Sequence, residues 1–267
     1  MPATLAPYTV EAFNTAHASE NKIHDDEVAR KFGFGGGLVP GAIVYAYMTH
    51  LPLERWGRAW LERGTAECRF AKPVYDGDKA TATATESGGV LDLQLECRGV
   101  VCATGSASLP ATPPAAPALD DFQAVAQRAS RPPADEASLA VGTWLGIEPV
   151  VATAELIAQY VRDVRETAPI YEQEGLLHPV LVPHICNFAL NRNVTLGPWM
   201  HVGSTIQHFA AARLGDSLGV RAIVTRNYEH KGHLFVDIDA LIVANDRTPI
   251  ARSAHLSIYR PRQLAAA

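Results

Sequence analysis

The two halves of the chain repeat one another at a constant spacing of 138 residues. A self-similarity of this length indicates a duplicated structural unit, and it limits the possible folds more than composition does. We therefore predict that the 267-residue chain folds as two related units of similar size. The landmarks that recur are Asp25 with Asp163, Gly37 and Leu38 with Gly175 and Leu176, and Gly77 and Asp78 with Gly215 and Asp216.

A segment rich in proline and alanine separates the two halves. It reads PATPPAAPALDDFQAVAQRASRPP over residues 110–133, a composition typical of a linker between folded units. We place an N-terminal unit at residues 1–110, the linker at 111–134 and a C-terminal unit at 135–267.

Each unit combines one apolar helix with long strands. The segment LDLQLEC alternates apolar and polar residues from Leu91 to Cys97, which predicts a strand with one buried face. The segment GAIVYAYMTHL has Ile43, Tyr47 and Leu51 at helical spacing, and PHICNFALNR is its counterpart in the second half. A helix buried by an antiparallel sheet is an α+β arrangement, and we predict one such unit in each half.

Composition narrows the functional classes. The net charge is −5 and no cluster of basic residues occurs, so we expect no nucleic-acid partner. The sequence has neither a signal-peptide pattern nor about 18 uninterrupted apolar residues, so we expect a soluble, cytoplasmic protein without a membrane partner. The four cysteines form no CxxC pair, which favours buried apolar roles over metal ligation or disulfides.

The loop ahead of the first helix carries a motif. The stretch ASENKIH supplies Asn21, Ile23 and His24, the following GF supplies Gly33 and Phe34, and LVPG supplies Gly41. In this order the residues resemble the MaoC-like, R-specific enoyl-CoA hydratases, whose motif is Gly-Asp-x-Asn-Pro-(Ile/Leu/Val)-His followed by Gly-Phe and a His-Gly at the central helix. The resemblance implies a hot-dog fold, in which a sheet wraps around a central helix. Two copies imply an α+β double hot-dog.

The sequence departs from that motif at three positions. Ser19 stands where the family has the aspartate that acts with the histidine on a water, Lys22 replaces the proline, and Pro40 replaces the histidine before the helix glycine. Asp25 or Asp26 is a candidate replacement carboxylate. In the second half, His178 falls on the position of Pro40, and Asp163 falls on that of Asp25.

The resemblance implies hydration or dehydration of an α,β-unsaturated acyl thioester, an acyl-CoA, without a metal or redox cofactor. This chemistry needs a base for water, an acid for the α-carbon and donors for the enolate oxygen. Helix-start N–H groups suit the enolate oxygen, and glycines permit close approach of substrate. The expected catalytic residues are His24, Asn21, Asp25 and Ser19, and the expected substrate-binding residues are Gly36, Gly37, Gly41, Ala42, His178 and Asp163.

Two other functions remain open at this point. The same fold can host thioester hydrolysis, in which a carboxylate activates water, and the altered motif is also compatible with a non-catalytic acyl-binding or partner subunit. A homodimer is the expected assembly.

His201 and His208 are seven residues apart in a predicted strand. This spacing places their side chains on opposite faces of a strand without a bulge. We therefore expect the two histidines not to share a pocket.

Overall fold

The computed structural model describes residues 3–264. Six α-helices and twelve strands are numbered here in chain order. The helices are α1 Asp26–Lys31, α2 Gly41–Trp56, α3 Arg58–Arg63, α4 Ala154–Asp163, α5 Ile170–Glu174 and α6 Leu181–Asn191. The strands are β1 Ala3–Thr4, β2 Tyr8–Glu11, β3 Thr65–Phe70, β4 Lys79–Ser87, β5 Val90–Cys97, β6 Val100–Ser108, β7 Trp144–Leu145, β8 Val150–Val151, β9 Met200–His208, β10 Ser217–His230, β11 His233–Ala244 and β12 Thr248–Arg260.

All twelve strands belong to one antiparallel sheet. Its order is β1-β4-β5-β6-β3-β9-β12-β11-β10-β7, with β2 paired to β4 and β8 paired to β10. Strands of the first half therefore form one side of the sheet, and strands of the second half form the other. The two sides meet where β3 pairs with β9.

The pairing of β3 with β9 relates the halves by an approximate two-fold axis. Glu67 lies opposite Thr205, and the flanking pairs are Ala66 with Ile206 and Cys68 with Ser204. The two members of the central pair are separated by the repeat spacing of 138 residues. The isolated bridge of Leu38 to Tyr75 also recurs at that spacing, as Leu176 to Arg213. The structure thus confirms the predicted duplication.

The two long apolar helices fill the core, as the sequence predicts. From Ala42 to Leu53, α2 is buried at every position except His50, because the sheet and the chain around it cover all its sides. The counterpart α6 packs against β10, β11 and β12. All four cysteines are buried thiols. The α+β class is therefore confirmed.

The chain between the halves packs on the sheet with little regular structure. Phe122 is buried against Leu241 and Val243, and the Arg221 guanidinium donates to the carbonyl of Leu119 at 2.9 Å. This stretch thus covers part of the sheet as well as connecting the halves. The exact limits of the two units stay a prediction. Within residues 3–264, no helix is long and apolar enough to cross a membrane.

Strand β9 contains an irregularity that changes the direction of one side chain. Gly203 pairs with Leu256 but His201 pairs with Ser257, so β9 carries one extra residue at Val202. This bulge turns His201 to the inner face, which His208 also occupies. The prediction of opposite faces holds only for a strand without a bulge, a condition that β9 does not meet. The prediction that the two histidines do not share a pocket agrees with the structure, because they line separate cavities.

Candidate active site

A cleft of about 140 Å³ opens beside the start of α2. His24, Gly41 and His201 contribute to its lining together with apolar side chains. The apolar part of the lining includes Ile23, Phe34, Val44, Phe70, Met200 and Val202. Both halves of the chain contribute to this cleft, since Met200, His201 and Val202 come from β9. A concave, mostly apolar site with a few polar groups is the usual form of a small-molecule site.

His24 is held in one orientation by hydrogen bonds at both ring nitrogens. Its Nδ1 lies 2.7 Å from the carbonyl oxygen of Leu38, so Nδ1 carries the proton and donates it. Nε2 is then the acceptor, and it faces the amide nitrogen of Asn21 at 3.2 Å. Burial lowers the pKa of His24, which keeps the imidazole neutral. A neutral ring with its lone pair on Nε2 can accept a proton when a water replaces the Asn21 amide there.

Asn21 connects the His24 loop to the second half of the chain. Its side-chain oxygen accepts from the backbone N–H of Trp199 at 3.2 Å, and its amide nitrogen donates to the carbonyl of Trp199 at 3.0 Å. These two bonds fix which end of the amide faces His24. Because Trp199 immediately precedes β9, Asn21 couples the orientation of His24 to the strand that carries His201.

Gly37 allows the loop to pack tightly behind His24. A Cβ atom at this position would lie 2.1 Å from the carbonyl oxygen of His24, a distance that only glycine avoids. The N–H of Gly37 donates to the carboxylate of Asp26 at 2.8 Å. Gly36 and Gly37 line a separate surface depression of about 340 Å³ with His17 and Tyr75. The structure therefore places these glycines behind the His24 loop and outside the lining of the cleft.

Gly41 and Ala42 begin α2 at the edge of the cleft. The first backbone bond of this turn is donated by Ile43 to Pro40, so the N–H groups of Gly41 and Ala42 precede the helical pattern. Such N–H groups attract a negatively charged oxygen. A Cβ on Gly41 would lie 2.9 Å from the Phe70 ring and 3.2 Å from Nδ1 of His201. Glycine at this position keeps the space between α2 and β9 open.

The second half contains a reduced counterpart of this cleft. It measures about 20 Å³, and several of its lining residues lie 138 positions after those of the first. Pro179 stands where the first half has Gly41, and His208 stands where it has Phe70. Duplication has thus left one open cleft and one that is nearly filled.

A larger groove of about 660 Å³ lies across β3, β9, β12, β11 and β10. Its charged side chains are largely paired with one another: Arg252 contacts Asp239 at 2.6 Å, and Arg226 lies 3.5 Å from Asp237. His24 and the start of α2 do not contribute to its lining within the described part of the chain. We therefore take the smaller cleft as the candidate active site.

Comparison with known proteins identifies what part of the chain is similar to a known family. The sequence profile of the family described as "MaoC like domain" matches residues 1–101. Residues 1–101 are thus similar to a MaoC-like domain. These residues include the His24 loop, α2 and the strands β1 to β5, together with the start of β6.

Solved structures extend the likeness to the whole chain at the level of the fold. A Chloroflexus aurantiacus protein described as a MaoC domain protein dehydratase superposes with a TM-score of 0.64 at 12% identity, covering 98% of this chain and 95% of that one. A Mycobacterium tuberculosis protein described as having a double hotdog fold gives 0.64 at 14% identity, with 97% and 95% covered. A protein described as a MaoC-like dehydratase gives 0.54 at 12% identity, with 96% and 98% covered. No curated protein matches the chain by sequence. The chain has the double hot-dog fold that the motif implied.

Two of the expected catalytic residues, Ser19 and Asp25, have local structural roles. The Ser19 hydroxyl donates to the carbonyl of Asn21 at 3.2 Å. The Asp25 carboxylate caps α1 by accepting from the N–H groups of Glu27 and Val28, both at 3.0 Å. Neither is among the residues that line the cleft. The carboxylate missing at position 19 is thus not replaced by Asp25 in this arrangement.

The two expected residues of the second half lie elsewhere. Asp163 ends α4, where its carboxylate accepts from Gln159 at 3.3 Å, so its match to Asp25 in the repeat does not extend to local structure. His178 is fully buried and lines the reduced cleft, and its Nδ1 accepts from the N–H of Val180 at 3.1 Å. Its Nε2 lies 3.7 Å from the carboxylate of Glu166.

Glu166 forms a buried cluster with His50 and His178. Its carboxylate accepts from Nδ1 of His50 at 2.7 Å and from the N–H groups of Thr167 and Ala168 at 2.7 and 2.8 Å. Although burial opposes ionisation, hydrogen bonds and the charges of His178 and His50 hold the pKa of Glu166 well below its usual range. The Glu166 side chain is 1% exposed. The cluster therefore joins α2 to the second half as a structural element.

Proposed function

We propose that the chain is a hydratase or dehydratase that adds or removes water at the double bond of an α,β-unsaturated acyl thioester. The observation that carries this proposal is the convergence of three features on one cleft. These are a neutral imidazole with an acceptor nitrogen at His24, the start of α2 at Gly41, and apolar walls. The N–H groups of Gly41 and Ala42 precede the helical hydrogen bonds, although Ala42 is buried and does not itself line the cleft. The three features provide a base, donors for an enolate oxygen and a surface for an acyl chain.

The proposed reaction uses His24 as the proton-transfer residue. In hydration, the substrate water replaces the Asn21 amide as the donor to Nε2, and Nε2 takes one proton from this water while the water oxygen bonds to the β-carbon. The electron pair of the double bond moves toward the thioester carbonyl, whose oxygen receives hydrogen bonds from Gly41 and Ala42. The proton on Nε2 then passes to the α-carbon. The hydrogen bond from Nδ1 to Leu38 stabilises the imidazolium that forms between these steps, and the Asn21 amide orients the ring before water binds.

The cleft also indicates the substrate class. Phe34 and Phe70 offer apolar surface, and the modest volume of about 140 Å³ fits a short acyl group. Lys72 lies on the rim with an exposed side chain, where its positive charge suits an anionic carrier such as CoA. We therefore propose a short-chain acyl-CoA as the first substrate to examine.

The lining of the cleft does not suit thioester hydrolysis by a carboxylate that activates water. Within residues 3–264, no aspartate or glutamate contributes to the lining of the cleft. The open volume favours the first half as the location of the chemistry, since the counterpart cleft measures about 20 Å³. Cytoplasmic location and homodimer formation stay predictions.

The test is hydration of 2-enoyl-CoA esters of short, medium and branched chain, followed as loss of the conjugated-thioester absorbance. His24→Ala should lower kcat by about 10²- to 10⁴-fold, the usual contribution of general base catalysis. His17→Ala is the matched control, because His17 belongs to the same loop but is exposed and lies outside the cleft lining. Release of free thiol from saturated acyl-CoA, measured in parallel, detects hydrolysis.

The outcomes separate the three functions. Hydration by the wild type that is lost in His24→Ala and kept in His17→Ala supports the proposal. Thiol release without hydration would indicate a thioesterase instead. Binding of thioesters without either reaction would indicate an acyl-binding or partner subunit.

A further inference from the structure

A chain of hydrogen bonds from the second half ends in the cleft at His201. Nε2 of His201 lies 2.8 Å from the hydroxyl of Ser204, and this hydroxyl lies 2.9 Å from Nδ1 of His255. Nε2 of His255 in turn lies 3.0 Å from the side-chain oxygen of Asn187 on α6. The four side chains come from β9, β12 and α6. They form one connected relay of polar groups inside the core.

The amide oxygen at the end of the relay sets the direction of every hydrogen bond in it. An amide oxygen only accepts, so Nε2 of His255 must carry a proton and its Nδ1 must be an acceptor. The Ser204 hydroxyl therefore donates to His255 and accepts from Nε2 of His201. It follows that Nδ1 of His201 holds a lone pair. Asn187 thus fixes the tautomer of a histidine that is three hydrogen bonds away.

Nδ1 of His201 is buried against the start of α2. His201 is 8% exposed, and its Nδ1 has no hydrogen-bond partner among residues 3–264. The edge-on ring of Phe70, with centroids 4.9 Å apart, holds the imidazole from one side. Nδ1 faces Gly41, where a Cβ would lie 3.2 Å away. A buried acceptor without a partner is costly, and because His201 lines the open cleft, a ligand in the cleft can satisfy it.

We propose that Nδ1 of His201 is the second acceptor for the substrate water, in the role that the absent carboxylate at position 19 would have had. This inference rests on the proposed function. In hydration, one proton of water goes to Nε2 of His24 and then to the α-carbon, while the water oxygen bonds to the β-carbon. The other O–H donates to Nδ1 of His201 throughout and becomes the 3-hydroxyl group of the product. His201 therefore orients the water and gains no proton.

The surroundings of His24 and His201 account for their different roles, proton transfer for His24 and orientation of water for His201. Burial lowers the pKa of His201 to about 3 and that of His255 well below its ordinary value, so both rings stay neutral. The only other titratable side chains lining the described part of the cleft are His24 and Lys72, and Lys72 is at the exposed rim. A neutral acceptor with one fixed tautomer can orient water without competing for its proton.

The test compares two ligands that differ by one hydroxyl group, 3-hydroxybutanoyl-CoA and butanoyl-CoA, by titration calorimetry. The wild type should bind the hydroxylated ligand about fivefold more tightly, the effect of one net hydrogen bond. His201→Gln is the variant, because a glutamine amide can still donate to Ser204 but offers no acceptor at the Nδ1 position. It should bind both ligands equally, with butanoyl-CoA affinity unchanged. Retention of the preference in His201→Gln would overturn the inference.

This binding experiment tests the role of His201 independently of the proposed function, because it needs no turnover of substrate. A wild type that binds the two ligands with the expected preference but hydrates nothing would refute the proposed function and support the role of His201 in binding. A wild type that hydrates enoyl-CoA at the same rate as His201→Gln would overturn the inference and leave the proposed function in place. If the proposed function and the role of His201 are both correct, His201→Gln should lower kcat for hydration by about 10²-fold. This is the usual cost of displacing a reactant by about 1 Å.

A second variant pair examines the relay. Ser204→Ala breaks the bond that fixes the His201 tautomer, and it should reduce the preference for the hydroxylated ligand by more than half. Ser253→Ala is the matched control, since Ser253 is equally buried on the neighbouring strand β12 but lies outside the relay. Nitrogen-15 shifts of the imidazoles should show one His201 tautomer in the wild type and Ser253→Ala, and a mixture in Ser204→Ala. An unchanged tautomer and preference in Ser204→Ala would contradict the relay.

Discussion

His208 provides a quantitative test of how the core of the second half is built. This histidine ends β9 with 3% exposure, and its ring meets Trp60 edge-on with centroids 5.4 Å apart. Its Nε2 has no hydrogen-bond partner in the described residues. Burial lowers its pKa to about 4. The matched position of the first half holds Phe70, so the fold accepts a phenyl ring there.

The sign and size of the pH effect follow from linkage. The pKa of His208 is lower in the folded state than in the unfolded state. Protons therefore bind the unfolded state more tightly, and protonation of this histidine destabilises the fold. Stability is therefore fully present above about pH 6.5 and falls as the pH is lowered toward the folded pKa of about 4. Between about pH 7 and pH 5, one such group reduces the free energy of unfolding by about 2 kcal/mol.

Two further histidines add to this effect. Burial lowers the pKa of His184 to about 4 and that of His201 to about 3. With His208, the three groups reduce the free energy of unfolding by about 6 kcal/mol over the same interval. This is comparable with the whole stability of many proteins, about 5–15 kcal/mol. We therefore expect the wild type to be markedly less stable at pH 5 than at pH 7.

Urea unfolding followed by tryptophan fluorescence at both pH values measures the effect. His208→Phe should reduce the loss between pH 7 and pH 5 by about 2 kcal/mol, and it should also stabilise the protein at pH 7 by about 1 kcal/mol because an unpaired polar atom is removed. His208→Gln separates the two contributions, since it removes the titrating group and keeps a polar side chain. An identical pH-dependent loss in the wild type and both variants would refute the reasoning.

Two further predictions concern the packing around the candidate site. Gly37→Ala should displace the His24 loop, because the added Cβ would lie 2.1 Å from the His24 carbonyl oxygen. We expect it to lower the rate of enoyl-CoA hydration at least tenfold. Gly219→Ala is the control and should leave this rate unchanged, because nothing lies within 4 Å of a Cβ at that position. An equal rate in both alanine variants would contradict the positioning role of Gly37. Glu166→Gln should lower the free energy of unfolding at pH 7 by about 3 kcal/mol, since it disrupts a buried pair with His50. Urea unfolding measures the difference in free energy of unfolding between the wild type and Glu166→Gln. This difference should become smaller as the pH falls below about 4.3, because the glutamate of the unfolded wild type then takes up a proton. A difference that stays constant with pH would contradict an ionised Glu166.

Local patterns were sufficient to predict much of the fold. The spacing of apolar residues in α2 and the alternation in β5 are properties of short segments, so a single sequence reveals them. The repeat spacing predicted the duplication, because landmarks such as Gly77 and Gly215 occupy equivalent turns with positive φ. The capping role of Asp25 could also have been predicted, since an aspartate before a helical segment is a preferred N-cap.

The features that the sequence did not reveal depend on contacts between distant segments. The bulge at Val202 becomes visible only when β9 pairs with β12, and without it His201 and Ser204 would face opposite sides. The hydrogen bonds of Asn21 to Trp199 join segments that are far apart in the chain. The relay that ends at His201 therefore could not be read from spacing within one strand.

The measurement that most directly tests the central claim is mass spectrometry of the product formed from 2-butenoyl-CoA in water labelled with oxygen-18. We predict one labelled oxygen at the β-carbon of an intact 3-hydroxyacyl-CoA, formed by the wild type and lost in His24→Ala. Label in a free carboxylate, or no label with the wild type, would contradict the account.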